Sequence, residues 1–380
     1  MGNTHIDLTK KYNNVGVIDA DLINKKRHRF PNLVCMKLSA YYKNKGSKVT
    51  LLTDFKDISK YEVVFIAKIF TDTDIDSKYI QADNVIYGGT GFFYDKAIPL
   101  PYEIEHTKPD YHLYDDYVQG RIEAGDKPKV YQYYTDYSIG FLTRGCFRQC
   151  SFCVNKNKTK SEPHSPVQEF LDTTRKYICL LDDNFFGCPK WSELLTELQT
   201  TNKKFQFKQG LDERLLTEDK ITKLFSSKLV GDIIFAFDNI ADKDIIVSKL
   251  ELIRKLYPDN KLKKKIKFYV LCAYDRANTY DEQFWINDII NTFERIKILM
   301  KYKCYPYIMR YKEYNNSPLK GIYINLAAWC NQVFIFHKMS FAEFSVARED
   351  ATKRYYNSFI SQYPEMKSMC DLKLSNIYLE

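Results

Sequence analysis

The chain of 380 residues is long for a single hydrophobic core and predicts about two or three domains. No run approaches the roughly 18 consecutive apolar residues of a membrane-spanning helix, and the first residues lack the basic-then-apolar pattern of a signal peptide. We therefore expect a cytoplasmic protein without a membrane partner, whose ten cysteines stay reduced; the net charge of +9 permits an anionic partner without requiring one.

An alternation of strands and helices fills the first part of the chain. Pro31 opens a helix with apolar residues at helical spacing, and Gly46 closes it at a C-cap position. Strands that alternate with helices predict a parallel, doubly wound sheet of the α/β class. The predicted strands are 15–20, 48–52, 63–67 and 85–87. We place this domain at 1–105 and interpret the polar, tyrosine-rich stretch 106–136 as a linker.

Three cysteines follow the next predicted strand, 138–142, at spacings of three and two intervening residues: Cys146, Cys150 and Cys153. Thiolates this close in sequence can converge on one metal centre without long-range folding. A closed structural zinc site needs four ligands, and so does a fully protein-ligated 4Fe–4S cluster, so three thiolates leave one position open. The alternatives are a zinc site completed by His164 and cysteines that only pack in a core.

Further strands, each followed by a helix, complete six strand–helix units over 137–315, and the segment 316–380 is predicted to be a helical cap. In a barrel of such units the chemistry lies at the carboxyl ends of the strands. Polar residues follow the strands 177–181, 205–208, 233–237, 266–271 and 305–309; they are Asp182, Asp183, Asn184, Gln209, Asp212, Arg214, Asp238, Asn239, Asp275 and Arg310.

The spacing Cys146-x3-Cys150-x2-Cys153, with the aromatic Phe152 before the last cysteine, resembles the signature of the radical S-adenosylmethionine (radical SAM) superfamily. The resemblance implies that the three thiolates hold a 4Fe–4S cluster, whose unique iron binds the amino and carboxylate groups of S-adenosylmethionine. It places Phe152 near the adenine. It also implies a partial (β/α)6 barrel, which the six predicted units match.

The resemblance further implies contacts to S-adenosylmethionine at the strand ends. Asp182 or Asp183, followed by Asn184, is expected to take the amino group, although an aspartate that only caps the loop is an open alternative. Asp238 is expected near the ribose or the amino group.

Two arginines are further candidates. The segment that begins at Gln209 ends in Arg214, which is expected to meet the methionine carboxylate or the substrate; an ion pair with Asp212 or Glu213 is an equal alternative. Arg310 is a candidate for the substrate or the carboxylate.

The first domain resembles the Rossmann-like cobalamin-binding domain that precedes the barrel in many radical SAM enzymes. The matching points are the segment 30–33, the helix that ends at Gly46 and the pair Gly88 and Gly89. The pattern Asp-x-His-x-x-Gly, whose histidine would ligate cobalt, is absent, and no glycine follows His28 at the required spacing. We therefore predict that cobalamin is not bound.

The sequence thus predicts a radical SAM enzyme that reductively cleaves S-adenosylmethionine to a 5′-deoxyadenosyl radical, which abstracts hydrogen from an unidentified substrate. The resemblance implies a one-electron donor such as flavodoxin or ferredoxin. The alternative is a non-catalytic iron–sulfur or zinc module that contacts nucleic acid through the basic loops 25–29 and 156–160. The other cysteines are expected to pack in cores, without an auxiliary cluster.

Overall fold

The computed structural model describes residues 3–25, 28–156, 158–258 and 265–375. Its chain divides into two compact units, Met1–Phe205 and Gln206–Glu380. This division falls inside the stretch predicted to be one barrel, and the predicted domain boundaries remain a prediction. Within the described residues, no helix is both long enough and apolar enough to cross a membrane.

The first unit begins with a four-stranded parallel sheet in the order β2-β1-β3-β4. Its strands coincide with the four predicted ones: β1 (Asn14–Asp19), β2 (Lys48–Leu51), β3 (Val63–Ala67) and β4 (Val85–Gly88). β3 is buried along its whole length, as expected for a strand covered on both faces. The predicted α/β class is therefore confirmed.

The strands that follow in the first unit are β5 (Tyr137–Gly140), β6 (Thr143–Arg144), β7 (Glu162–Pro163), β8 (Tyr177–Leu180) and, across the unit boundary, β9 (Lys204–Phe207). β5 pairs in parallel with β8, and β9 is the third strand of that sheet. β6 and β7 form an antiparallel ribbon that the sequence did not predict.

The helices of the first unit are α1 (Ala20–Asn24), α2 (Leu33–Asn44), α3 (Ser77–Ile80), α4 (Thr90–Phe93), α5 (Tyr102–Glu105), α6 (Asp115–Glu123), α7 (Gln132–Thr135), α8 (Val167–Phe170) and α9 (Trp191–Thr200). α2 begins where the Asn32 side chain accepts hydrogen bonds from the amides of Val34 and Cys35. It ends at Asn44, with Lys45 as the C-cap residue, and Gly46 follows with a φ of +89°, the left-handed conformation that glycine adopts without strain. The helix therefore closes at the predicted glycine, which stands one position beyond the C-cap.

The stretch interpreted as a linker is more ordered than expected. It contains α6 and α7, and Tyr111, Tyr114, Tyr131 and Tyr134 are buried in the same core as α2 and β1. Here the large apolar rings of the tyrosines are buried, while most of the other residues in the stretch are polar. Mean hydropathy therefore did not predict this packing.

The second unit contains the parallel sheet β10 (Ile233–Ala236), β11 (Ile266–Cys272) and β12 (Tyr305–Arg310), in that order. All three strands were predicted. Its helices are α10 (Glu218–Ser226), α11 (Lys243–Leu256), α12 (Glu282–Lys301), α13 (Lys320–Cys330), α14 (Val333–Lys338), α15 (Phe341–Val346), α16 (Ala351–Gln362) and α17 (Lys367–Cys370). The last five confirm the predicted helical character of the C-terminal segment.

Candidate functional site

The three cysteines lie on one loop, here called the cysteine loop, which runs from Gly145 to Ser161. β5 leads into it through the buried Leu142, and the ribbon of β6 and β7 joins its two ends. At its start, Gly145 has a φ of +93°, and a Cβ atom there would lie 2.1 Å from the carbonyl oxygen of Lys160. Only glycine permits this close crossing of the two ends of the loop.

Asp182, directly after β8, anchors the entry to the loop. Its Oδ1 accepts hydrogen bonds from the Thr143 amide at 2.6 Å and from the Thr143 hydroxyl at 2.7 Å, and its Oδ2 accepts one from the Leu142 amide at 3.3 Å. The side chain is 3% exposed, and this burial raises its pKa to about 7 although the hydrogen bonds act in the opposite direction.

Asp183 binds the loop at two points. Its Oδ2 accepts a hydrogen bond from the Gly145 amide at 2.7 Å, and its Oδ1 accepts one from Nδ2 of Asn155 at 2.6 Å. Arg144 lies 3.7 Å from the same carboxylate. Both aspartates therefore hold the cysteine loop, which corresponds to the loop-capping alternative; their contact with an amino group stays a prediction.

Hydrogen-bond donors contact the sulfurs of Cys146 and Cys153. Sγ of Cys146 accepts from Nδ2 of Asn184 and from the amide of Arg148, each at 3.4 Å. Sγ of Cys153 accepts from the amide of Asn155 at 3.4 Å. Donors of this kind stabilise a thiolate and tune the reduction potential of a cluster that it ligates.

Polar side chains inside the loop fix its path. Gln149, at a φ of +48°, donates from Nε2 to the carbonyl oxygens of Cys146 at 2.9 Å and Lys158 at 3.0 Å. Nζ of Lys156 donates to the carbonyl oxygens of Gln149, at 3.1 Å, and of Cys150. Lys156 therefore serves the loop, whereas Lys158 and Lys160 are exposed.

The cysteines of the motif differ from the other seven. None of the ten, which all lie in the described residues, is in a disulfide; Cys146, Cys150 and Cys153 are half-buried, whereas the other seven are buried, including the six for which core packing was predicted and Cys188. Burial also raises the pKa of the Cys153 thiol. Within the described residues no three His, Cys, Asp or Glu side chains are already gathered to hold a metal ion. The donor chemistry nevertheless fits a thiolate-ligated cluster, because amide and carboxamide groups already point at the sulfurs.

His164 has other partners than the motif cysteines. Its Nδ1 lies 2.9 Å from the Ser165 hydroxyl, its Nε2 lies 3.5 Å from Oε1 of Glu105, and its ring stacks on His106. Burial lowers the pKa of His164 to about 4, so the imidazole is neutral at physiological pH. Within the described residues, His164 is not grouped with the motif cysteines in an arrangement that could hold a metal ion.

In the second unit, Arg214 forms ion pairs. Its Nε lies 2.8 Å from Oδ1 of Asp212, and a terminal nitrogen lies 2.8 Å from Oδ2 of Asp242. The Asp212 pair is one of the two that the sequence left open. Gln209 is exposed in the bend just after β9.

Asp238 lies just after β10, and Arg310 is the last residue of β12. Oδ1 of Asp238 accepts a hydrogen bond from the Leu271 amide at 3.1 Å, and burial raises its pKa although nearby Arg295 acts in the opposite direction. The exposed Arg310 guanidinium lies 4.3 Å from the ring centre of Tyr314. Asp238 and Arg310 thus both lie at the carboxyl ends of strands, as the sequence predicted.

Glu213 is a buried carboxyl group that the sequence suggested only as an ion-pair partner of Arg214. It is 1% exposed; its Oε2 accepts a hydrogen bond from the Ala236 amide at 3.3 Å, while its Oε1 has no hydrogen-bond partner. Burial raises its pKa from 4.5 to about 8, so the group is largely protonated at neutral pH.

The first basic loop is only partly described. Lys25 pairs with Asp72 at 2.7 Å, and the His28 ring meets the Phe70 ring edge-on at 5.9 Å. Lys26, Arg27 and, in the second basic loop, Asn157 lie outside the described residues.

Two residues that help to hold the cysteine loop, Asn155 inside it and Tyr94 outside it, were not predicted from the sequence. Asn155 binds both Asp183 and Cys153, and its position two residues after the last cysteine was the only available signal. Tyr94 donates from its hydroxyl to the carbonyl oxygen of Phe152 at 2.8 Å. No local pattern indicated that contact, because the two residues are 58 positions apart.

Comparison with known proteins gives distant matches only. No protein-family model matches the chain, and no curated protein does. The apo, selenomethionine-labelled structure of the cobalamin-dependent S-adenosylmethionine radical enzyme OxsB matches with a TM-score of 0.44 and 12% identity, over 84% of this chain and 55% of that one. The crystal structure of Streptococcus suis SuiB matches with a TM-score of 0.33 and 13% identity, over 57% of each chain.

SuiB bound to the precursor peptide SuiA matches with a TM-score of 0.35 and 13% identity, over 71% of this chain and 65% of that one. The chain thus spans less than two thirds of the length of each of these structures. Likenesses this distant do not assign the chain to a family.

Proposed function

We propose that the chain is a radical SAM enzyme that reductively cleaves S-adenosylmethionine at a 4Fe–4S cluster. The observation that carries the proposal is the cysteine loop. Its three half-buried thiols follow a parallel strand at the radical SAM spacing, and the end of the neighbouring strand holds the loop through Asp182, Asp183 and Asn184.

Cys146, Cys150 and Cys153 would hold the cluster, which supplies one electron for the cleavage of S-adenosylmethionine when it is bound. The amide of Arg148 and the carboxamide of Asn184 stabilise the Cys146 sulfur as a thiolate. Asp182 and Asp183 fix the start of the loop, so its thiols stay within one short segment.

The contacts to S-adenosylmethionine are part of the proposal. Phe152, next to Cys153, is proposed to pack near the adenine, and the carboxylate of Asp182 or Asp183, followed by Asn184, is the proposed partner of the amino group. Further proposed contacts lie at the strand ends of the second unit: Gln209, Arg214, Asp238 and Arg310. A flavodoxin or ferredoxin is the proposed electron donor, and the substrate that loses hydrogen is unidentified.

Cobalamin is not part of the proposed enzyme. The sequence lacks the cobalt-ligating pattern, and His28 is packed edge-on against Phe70. After incubation with hydroxocobalamin and desalting, we expect no corrin absorbance to remain with the protein. Stoichiometric retention of cobalamin would overturn this part of the proposal.

The test of the proposal is S-adenosylmethionine cleavage by protein reconstituted with iron and sulfide under anaerobic conditions. We expect dithionite-reduced protein to form methionine and 5′-deoxyadenosine, and we expect Cys146→Ser, Cys150→Ser and Cys153→Ser each to abolish both products. Cys304→Ser is the matched control, because Sγ of Cys304 already donates to the Tyr302 carbonyl and a hydroxyl can make the same bond.

The outcomes separate the proposal from its alternative. A non-catalytic module would bind metal without cleaving S-adenosylmethionine, and zinc in the purified protein together with nucleic-acid binding would favour it. Cleavage that persists in any one of the three serine variants would contradict the assignment of the ligands.

A further inference from the structure

Tyr94 connects the N-terminal sheet to the cysteine loop. Its hydroxyl donates a hydrogen bond of 2.8 Å to the carbonyl oxygen of Phe152, the residue directly before Cys153. Both residues belong to the first unit. The contact therefore reaches the loop from outside, in addition to the bonds that Asp183 and Asn184 supply.

The segment that presents Tyr94 is packed tightly onto the end of β3. A Cβ atom on Gly89 would lie 2.3 Å from the Lys68 carbonyl oxygen, and one on Gly91 would lie 2.8 Å from the Phe70 carbonyl oxygen. The Gly91 amide donates to the Lys68 carbonyl at 2.9 Å, and the Thr90 hydroxyl donates to the Ile69 carbonyl at 3.1 Å. The backbone before Tyr94 thus has little freedom to move.

Tyr94 itself adopts a conformation that side-chain-bearing residues rarely take, with a φ of 50° and a ψ of −116°. Such a conformation is unfavourable for a residue with a side chain and persists only where its surroundings enforce it, most often near functional sites. Tyr94 is the first residue of the 3₁₀ helix Tyr94–Lys96, and from this position its hydroxyl contacts Phe152.

We propose that Tyr94 is a positioning residue: its hydroxyl fixes the Phe152 carbonyl and thereby the place from which Cys153 meets the cluster. This rests on the proposed function for the cluster, but the contact itself does not require one. The N-terminal domain then contributes to the reaction by holding the loop, without a cobalt cofactor of its own.

The test uses the full-length protein with Tyr94→Phe, which keeps the ring and removes the hydroxyl. Tyr79→Phe is the matched control, because Tyr79 lies in the same domain and stacks its ring on Phe55. In the metal-free proteins, we expect hydrogen exchange at the amides of Cys153 and Asn155 to be about fivefold faster in Tyr94→Phe, as the loss of one net hydrogen bond predicts.

The reconstituted proteins provide the readout that a purely structural role would not change. Loosening the loop weakens the bond from the Asn155 amide to the Cys153 sulfur, so the reduction potential of the cluster should become more negative in Tyr94→Phe and stay constant in Tyr79→Phe.

Unchanged exchange at both amides would overturn the inference, and so would faster exchange with an unchanged potential. If the wild-type protein assembles no cluster, the proposed function fails; the metal-free exchange measurement then still decides whether Tyr94 holds the loop.

Discussion

Gly145→Ala is expected to disrupt the cysteine loop by a steric clash that a matched glycine lacks. Gly145 and Gly125 have similar φ values, +93° and +100°. A Cβ atom on residue 145 would lie 2.1 Å from the Lys160 carbonyl oxygen and 2.7 Å from Cβ of Lys158, whereas a Cβ atom on residue 125 would meet nothing within 4 Å. The two substitutions therefore share the backbone strain and differ in the clash.

The magnitudes follow from these contacts. A side chain at positive φ costs about 1–2 kcal/mol at either position. At residue 145 the new carbon is also about 1 Å closer to an oxygen than the roughly 3.3 Å at which carbon and oxygen make contact. Forcing apart such a packed pair adds about 1–3 kcal/mol. We expect Gly145→Ala to lower the free energy of unfolding by about 3–4 kcal/mol, and Gly125→Ala by about half as much or less.

The assay is urea unfolding of both metal-free variants, followed by iron retention after reconstitution. Because the ends of the loop must separate to admit the new methyl group, Gly145→Ala should also retain less iron than Gly125→Ala. Equal unfolding free energies for the two variants would refute the close approach of residue 145 to the Lys160 carbonyl oxygen. Equal iron retention would show that this approach does not affect metal binding by the cysteines.

Three further predictions concern buried polar groups. Asn184→Asp should lower the unfolding free energy by about 3 kcal/mol, because a buried carboxylate replaces the carboxamide that donates to Cys146. The loss should be smaller at acidic pH, where the new carboxyl group is protonated. Asn239→Asp, at another helix N-cap, is the control and should be nearly neutral. In the wild type, the buried Glu213 should make stability fall as pH rises from 4.5 to about 8, because this carboxyl loses its proton in the unfolded chain first. Asp182 is also buried with a raised pKa, so Glu213→Gln should make the decline shallower without removing it, and parallel pH curves would contradict this. Tyr111→Phe should lower the unfolding free energy by about 2–3 kcal/mol, since the Ile139 amide and the Phe170 carbonyl lose their buried partner; a loss below about 0.5 kcal/mol in thermal unfolding would refute that packing.

Periodicity and composition predicted most of the regular fold. The strands are runs of β-branched and aromatic residues such as 63–67 and 233–237, whose period differs from that of the amphipathic helices between them. The packing in 106–136 was not predictable in this way. Tyr111 and Tyr131 are buried by partners distant in sequence, and hydropathy classes such a tyrosine-rich, charged stretch as surface.

The candidate site divides along the same line. Spacing identified Cys146, Cys150 and Cys153, and the rule that parallel strands end at one edge identified Asp183. Contacts between segments distant in sequence stayed hidden: the ion pair of Arg214 with Asp242 and the hydrogen bond from Tyr94 to Phe152 depend on the tertiary fold. A local sequence pattern shows which side chains a segment contains, but it does not show which distant segment they contact in the fold.

The central claim is that three thiolates of one loop bind a cluster with an open iron. The most direct measurement is electron paramagnetic resonance of anaerobically reconstituted, dithionite-reduced protein before and after addition of S-adenosylmethionine. We predict a reduced 4Fe–4S signal that shifts when S-adenosylmethionine binds. A colourless protein that contains zinc, or a cluster signal that S-adenosylmethionine leaves unchanged, would contradict the account.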